Sequence, residues 1–249
     1  MRGGTITTLL LLAAGIAAYA MWLTSTTGFE FRETAGPAGF RGIETGDATA
    51  AFDPFAGIGT PGAEIAPPAP EIPDLCLAIF GGVPAEGIVP IAVFSDYQCA
   101  WCRVLSEMLI DMDDDGIAVT WHEWPIFGPN SKIAARAALA ADMQGGYLAF
   151  HQRLMNGAFA PTPAYIAALS EDEGLDPARL LIDMESPEVE SRLTLSFALA
   201  EEFRFRGTPG LIVGHTVVNG SIPERALRDL VALEREAGLP PVCRPAGGA

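Results

Sequence analysis

Basic side chains are scarce in this chain of 249 residues: 15 Lys and Arg stand against 31 Asp and Glu, the formal net charge is −16, and Lys132 is the only lysine. Neutralising nucleic-acid phosphates needs a basic face, so this balance excludes a nucleic-acid partner. An acidic surface of this kind serves solubility. Cysteine is sparse too, with four residues at Cys76, Cys99, Cys102 and Cys243, and the histidines His122, His151 and His215 are scattered. A structural zinc site takes four ligands, usually with a second Cys/His pair at short spacing, and no such pair exists; no metal is expected. Internal repeats are absent as well.

Only one long apolar run occurs, Thr5 to Leu23, preceded by Arg2. Roughly 20 apolar residues span a bilayer, and positive charge on the short side puts the N-terminus in the cytoplasm and the rest across the membrane. Residues 1–23 therefore read as a membrane anchor. A cleaved signal peptide is the rival, because Ala18-Tyr19-Ala20 fits a small-residue cleavage pattern. Met21-Trp22-Leu23 continues the run past that site, and Trp22 suits an interfacial anchor. Either way the bulk of the chain is exported, to a compartment where disulfides persist. From Gly28 to Pro70 the composition shifts to Gly, Ala, Pro, Thr and Glu without periodicity, which predicts a flexible linker over 24–70 with one small cluster, Phe52 to Phe55.

Cys99-Ala100-Trp101-Cys102 lies where a strand-like run, Ile91 to Phe94, gives way to a helix-like run, Arg103 to Asp111. A helix N-terminus offers unpaired N–H groups and the positive end of its dipole, so a cysteine there has a stabilised thiolate and becomes a nucleophile near neutral pH. The two-residue spacing lets Cys102 reach back and resolve a mixed disulfide formed at Cys99. A purely structural CxxC disulfide would not need this strand-to-helix junction.

Around it, strands are expected at Leu77 to Phe80, Ile88 to Phe94 and Ile117 to Glu123, with Asp111 to Gly116 as a polar turn. Asn130 or Ser131 is expected to cap a helix carrying Ile133, Ala137 and Leu139. Thr162-Pro163, Asp176-Pro177 and Ser186-Pro187 each put a capping side chain before a proline at the first helical position. Gly145-Gly146, Gly157 and Gly174 separate the helices of this block, about 130–206. The sheet resumes with Leu211 to Val213, a Gly214-His215 turn and Thr216 to Val218, and a final helix runs from about Pro223 to Glu236. Thr208-Pro209 is either an ordinary turn or a cis peptide beside the CxxC whose backbone pairs with a bound peptide.

These motifs resemble the DsbA-like branch of the thioredoxin superfamily. The matching stretches are Phe94-Ser95-Asp96-Tyr97-Gln98-Cys99-Ala100-Trp101-Cys102, Trp124 to Ser131 leading into Ala134 to Ala138, Phe150-His151, Ser186 to Val189, and Arg206-Gly207-Thr208-Pro209, within Leu77 to Glu236. The resemblance implies an α/β class: a thioredoxin-like fold over about 71–240 with an inserted all-helical domain, preceded here by the apolar helix and linker and followed by a tail at 241–249. It further implies that Cys99 is the exposed attacking sulfur, Cys102 the buried resolving one, and Thr208-Pro209 a cis-proline loop facing them. Trp101 is taken to shape peptide binding. Two departures stand out. The strongest oxidants of the family hold a His between their cysteines, and many thioredoxin-fold enzymes hold a buried acid at the position of Val93. Asp96 or Glu123 could substitute for that acid, but both read first as solvated surface carboxylates without a part in this, and His122 and His151 as packing or hydrogen-bonding residues.

The resemblance does not reach Cys76 or Cys243. Their pairing as a structural disulfide is expected from the oxidising compartment and their places at the two edges of the fold, with free thiols, pairing to another protein or electron shuttling by Cys243 as alternatives. The function implied is thiol:disulfide exchange with exported proteins, as an oxidase first and a reductase or isomerase second. It needs a membrane or soluble recycling partner and no cofactor beyond the dithiol. The alternative class is a redox-inactive module, a chaperone or copper carrier.

Overall fold

The computed structural model describes residues 28–44, 72–112, 116–158 and 160–244. By its internal contacts the chain divides into residues 1–30 and 31–249. The described part of the first, residues 28–30, carries no helix or strand, and every element named below belongs to the second. The anchor expected at 1–23, the Phe52 to Phe55 cluster, the acidic turn at 113–115 and the tail from 245 lie outside the described residues. Among the described residues no helix is long and apolar enough to cross a membrane.

The elements run β1 (Arg32–Glu33), β2 (Arg41–Glu44), α1 (Leu75–Phe80), β3 (Val89–Ser95), α2 (Ala100–Asp111) and β4 (Ile117–Glu123). Helices α3 (Pro129–Asp142), α4 (Tyr147–Asn156), α5 (Pro163–Asp172), α6 (Pro177–Asp183) and α7 (Pro187–Glu202) come next. The chain then returns through β5 (Gly210–Val213) and β6 (Thr216–Asn219) to α8 (Glu224–Ala237) and a 3-10 turn, Pro241–Cys243. One mixed sheet has the order β1-β2-β6-β5-β3-β4. β3, buried at every position, pairs parallel to β4 from Val89 opposite Ile117 to Ser95 opposite Glu123, and antiparallel to β5.

Residues 32–44 are strand and turn, which corrects the linker expected from Gly28 to Pro70. β2 lies parallel to β6, Arg41 opposite Thr216 through Glu44 opposite Asn219. Four residues are too few to display a period, and what holds this strand is tertiary. Phe40 sets its ring edge-on to Phe203 at 5.0 Å, Ile43 is buried, and the Arg41 guanidinium donates to Glu234 of α8 at 2.7 Å.

Leu77 to Phe80, expected as a strand, is the body of helix α1. Asp74 accepts from the Leu77 N–H at 2.9 Å, and Gly81 closes the helix at φ 73°. A short apolar run does not distinguish the two structures; its caps do. Thr162, Asp176 and Ser186 accept from backbone N–H groups at the starts of α5, α6 and α7, each before a proline. α3 departs from this pattern and from the cap expected at Asn130 or Ser131. It begins at Pro129 with no side-chain cap, because the Ser131 hydroxyl donates to Asp96 at 2.7 Å instead.

The described core falls into two apolar clusters, and the CxxC belongs to one of them. Phe94, Ile212 and Val217 of the sheet pack with Ile79, Leu199 and Phe203 on one side. On the other, Cys99 and Cys102 pack with the alanine-rich face of α3 and with Phe150, Ile166, Leu180 and Val189 of the later helices. The motif is thus built into the cluster formed by the helices.

Candidate active site

The chain turns from β3 into α2 at Cys99, whose backbone is extended (φ −88°, ψ 115°) and whose sulfur accepts the Cys102 N–H at 3.2 Å. The sulfur therefore occupies the N-cap position, where Ser or Asp usually satisfies a free helix donor. On its other side it faces the Thr208 carbonyl at 3.6 Å, in the loop whose Thr208–Pro209 peptide is cis. The structure thus brings together Cys99, Cys102, Thr208 and Pro209, with Trp101 on the outside, 41% exposed. The Pro209 carbonyl is taken by the Gly220 N–H at 3.0 Å. Gly210 lets the Phe205 ring lie against the strand: a Cβ there would stand 2.6 Å from a ring carbon.

These contacts separate the two thiols. The hydrogen bond from Cys102 lowers the Cys99 pKa most; burial opposes it, and Thr208 and the backbone N–H groups of Cys102 and Trp101 assist, leaving a value of about 6. Burial pushes the Cys102 thiol far up, and the neighbouring Cys99 adds to this. One sulfur is poised as a thiolate and the other as a thiol. In one respect the expectation is corrected: Cys99 is not exposed. It is 2% exposed and Cys102 1%, because the cap geometry turns the sulfur inward to the Cys102 N–H and the Thr208 carbonyl.

Asp96 and Glu123, read from sequence as surface carboxylates, are both buried. Asp96 accepts from the Gln98 N–H (2.7 Å), the Ser131 hydroxyl (2.7 Å) and the Ile126 and Phe127 N–H groups (2.7 and 3.0 Å). Those donors compensate its burial and tie the approach to Cys99 to the start of α3. Glu123 accepts at Oε1 from the hydroxyls of Tyr97 (2.7 Å) and Tyr147 (2.6 Å), while Oε2 has no partner among the described residues. Burial first, and then the charge of Glu123, hold both tyrosine pKa values well above their usual range.

His151 completes this cluster. Its Nδ1 lies 2.8 Å from the Tyr97 oxygen, and its Nε2 lies 3.1 Å from the hydroxyl of Ser106. Tyr97 spends its one proton on the Glu123 carboxylate, so Nδ1 is the donor toward the Tyr97 oxygen. Ser106 is one helical turn beyond Cys102 on the buried face of α2, so the chain of polar groups from Glu123 ends one turn from Cys102. Strand pairing offered a signal for this. Ser95 faces Glu123 in the parallel ladder, so β4 ends level with the strand that delivers the CxxC, and residues 121 and 123 share a face. Trp121 on that face packs against His151 at 4.6 Å.

His122 points the other way. It stacks on Phe94 at 4.5 Å and donates from Nε2 to the Ile79 carbonyl at 2.9 Å, and burial lowers its pKa to about 4. The remaining cysteines, Cys76 of α1 and Cys243 of the 3-10 turn, are buried and joined by a disulfide, S–S 1.96 Å.

Comparison with known proteins places this geometry. The family described as DSBA-like thioredoxin domain matches residues 90–232. A probable thiol:disulfide interchange protein DsbC of Bordetella avium is 30% identical over 148 residues, 59% of this chain and 43% of that protein, so the aligned part spans under half of that relative. Among solved structures, a thioredoxin-like oxidoreductase from Silicibacter pomeroyi is 35% identical with a TM-score of 0.59, covering 64% of this chain and 97% of that one. A periplasmic thioredoxin-like protein from Salmonella enterica serovar Typhimurium is 25% identical with a TM-score of 0.57, covering 67% and 99% respectively.

Proposed function

The chain belongs to the family of DsbA-like thioredoxin domains, and we propose that within it this protein exchanges disulfides with exported proteins, working first as an oxidase. The observation that carries the reading is the split between Cys99, a helix-capping sulfur with a pKa of about 6, and Cys102, buried and kept protonated. In the oxidised protein a substrate thiolate attacks the Cys99 sulfur. The Cys99–Cys102 bond breaks, its electron pair leaves on Cys102, and that sulfur takes up a proton. A second substrate thiolate then attacks the substrate sulfur of the mixed disulfide, and Cys99 departs as a thiolate. A thiol of low pKa leaves readily, which favours this direction. The two electrons left on the dithiol pass to a recycling partner, membrane-bound or soluble.

In this reading the Thr208-Pro209 backbone and Trp101 receive the substrate polypeptide, Cys76–Cys243 is structural, no further cofactor takes part, and the domain works on the periplasmic side, tethered through 1–23. The missing His between the cysteines leaves the reduced form less stabilised than in the strongest oxidants. A potential between about −270 mV for thioredoxin and about −120 mV for DsbA is expected. Equilibration of the couple against glutathione, together with refolding of a reduced substrate, tests this. Trp101→His should raise the potential. A value at or below that of thioredoxin would make the protein a reductase, and failure to exchange with any dithiol would return it to the redox-inactive class.

A further inference from the structure

A cleft of about 350 Å³ opens beside the CxxC. Gln98, the residue before Cys99, and Arg103, one helical turn after it, form one wall; Asn130, Leu154, Gly157 and Tyr165 of α3 to α5 contribute to the other. The cleft stays open because residue 157 has no side chain: a Cβ there would stand 2.9 Å from the Tyr165 hydroxyl oxygen.

Its charge is unlike the rest of the molecule. The chain carries 31 acidic residues, yet none of the described residues lining the cleft is Asp or Glu. The arginines of the neighbouring helices are spent on carboxylates: Arg136 on Glu190, Arg153 on Asp172 and Glu173, Arg179 on Asp183, Arg192 on Asp142. Arg103 is exposed, and among the described residues its guanidinium has no hydrogen bond or ion pair; the side-chain amides of Gln98 and Asn130 have none either. A planar guanidinium with two free amides beside it is a receptor for a carboxylate, which it can bind through two parallel hydrogen bonds.

The geometry points to a specificity subsite: the cleft receives an Asp or Glu side chain of the substrate polypeptide, a few residues from the cysteine that attacks Cys99. The inference rests on the exchange reading proposed for the CxxC. It runs against the net charge of −16, which repels acidic peptides over longer range, so a preference for them reports local recognition.

The test uses the oxidised full-length protein and two reduced peptides that differ only in Glu or Gln two residues from their cysteine. Each rate is normalised to the same peptide's reaction with a small aromatic disulfide. At low ionic strength the Glu peptide should react at least fivefold faster, the ratio should fall to one or below in Arg103→Gln, and Arg103→Glu should favour a Lys peptide. Because each ratio compares two peptides on one protein, any effect of Arg103 on Cys99 cancels. A ratio of one or below in the parent protein, or a preference that survives Arg103→Gln, overturns the subsite. Oxidation of neither peptide overturns the exchange reading instead.

Discussion

The Cys102 N–H donates to the sulfur of Cys99 at 3.2 Å, so the sulfur proposed as the nucleophile caps the helix that would activate it. Thiolate absorbance of the reduced protein should therefore titrate with a midpoint of about 6, against ~8.5 for a free cysteine. Alkylation near neutral pH should modify Cys99 alone, and Cys102→Ala should accumulate mixed disulfides through Cys99. Because the folded pKa lies below the unfolded one, the stability this group contributes is full above the unfolded pKa and lost as pH falls through about 6. Denaturation of the reduced protein against Cys99→Ser should show a gap that widens from pH 5 to pH 9; a constant gap would contradict the assignment.

Glu123→Gln keeps an acceptor for the two tyrosine hydroxyls but removes the charge at the end of the chain running through Tyr97, His151 and Ser106. If these groups move the proton of Cys102, resolution of a glutathione mixed disulfide at Cys99 should slow by ~100-fold, the low end of general acid–base contributions. The Cys99 titration should stay in place. Stopped-flow release of glutathione measures this, and an unchanged rate would make the cluster structural only.

Glu234 is buried on α8 and accepts from Arg41 (2.7 Å), the Thr216 hydroxyl (2.6 Å) and both the N–H and Nδ1 of His215 (2.8 Å each). Burial works to raise its pKa, but the hydrogen bonds from His215, Thr216 and Arg41 prevail and hold it at about 2. The stabilisation is thus present above the unfolded carboxyl pKa and disappears as pH falls through about 2. Glu234→Gln should cost on the order of 3 kcal/mol at pH 7, and the gap to the parent protein should close between pH 4 and pH 2. Urea melts across that range check it, and hydrogen exchange at Ile43 of β2 should quicken in the variant.

Cys243→Ser should lower the stability of the protein by up to ~5 kcal/mol on loop entropy, since the two cysteines are 167 residues apart. Non-reducing peptide mapping should recover Cys76 and Cys243 as one linked pair. Recovery of both as free thiols would remove the bridge.

What could be read from sequence was local chemistry: the CxxC at a strand-to-helix junction, and the caps Thr162, Asp176 and Ser186, each satisfied within its own turn. What could not be read depended on partners far along the chain. Arg41 belongs to a strand because Thr216 lies beside it and Glu234 beneath, and Asp96 is buried because Ile126, Phe127 and Ser131 converge on it. A carboxylate in a sequence carries no sign of how many donors will surround it. Cys99 shows the same limit from the other side: its place at the helix start and the facing Thr208-Pro209 loop were expected, but the burial of its sulfur between them was not.

The bond between Cys76 and Cys243 also gives the domain a topology. It closes 76 to 243 into a covalent ring, with the two Cα atoms 4.9 Å apart at the closure. A protease that cuts once in an exposed turn, at Gly145 or Gly174, opens the ring without releasing a piece, and the nicked domain keeps its mass until the disulfide is reduced.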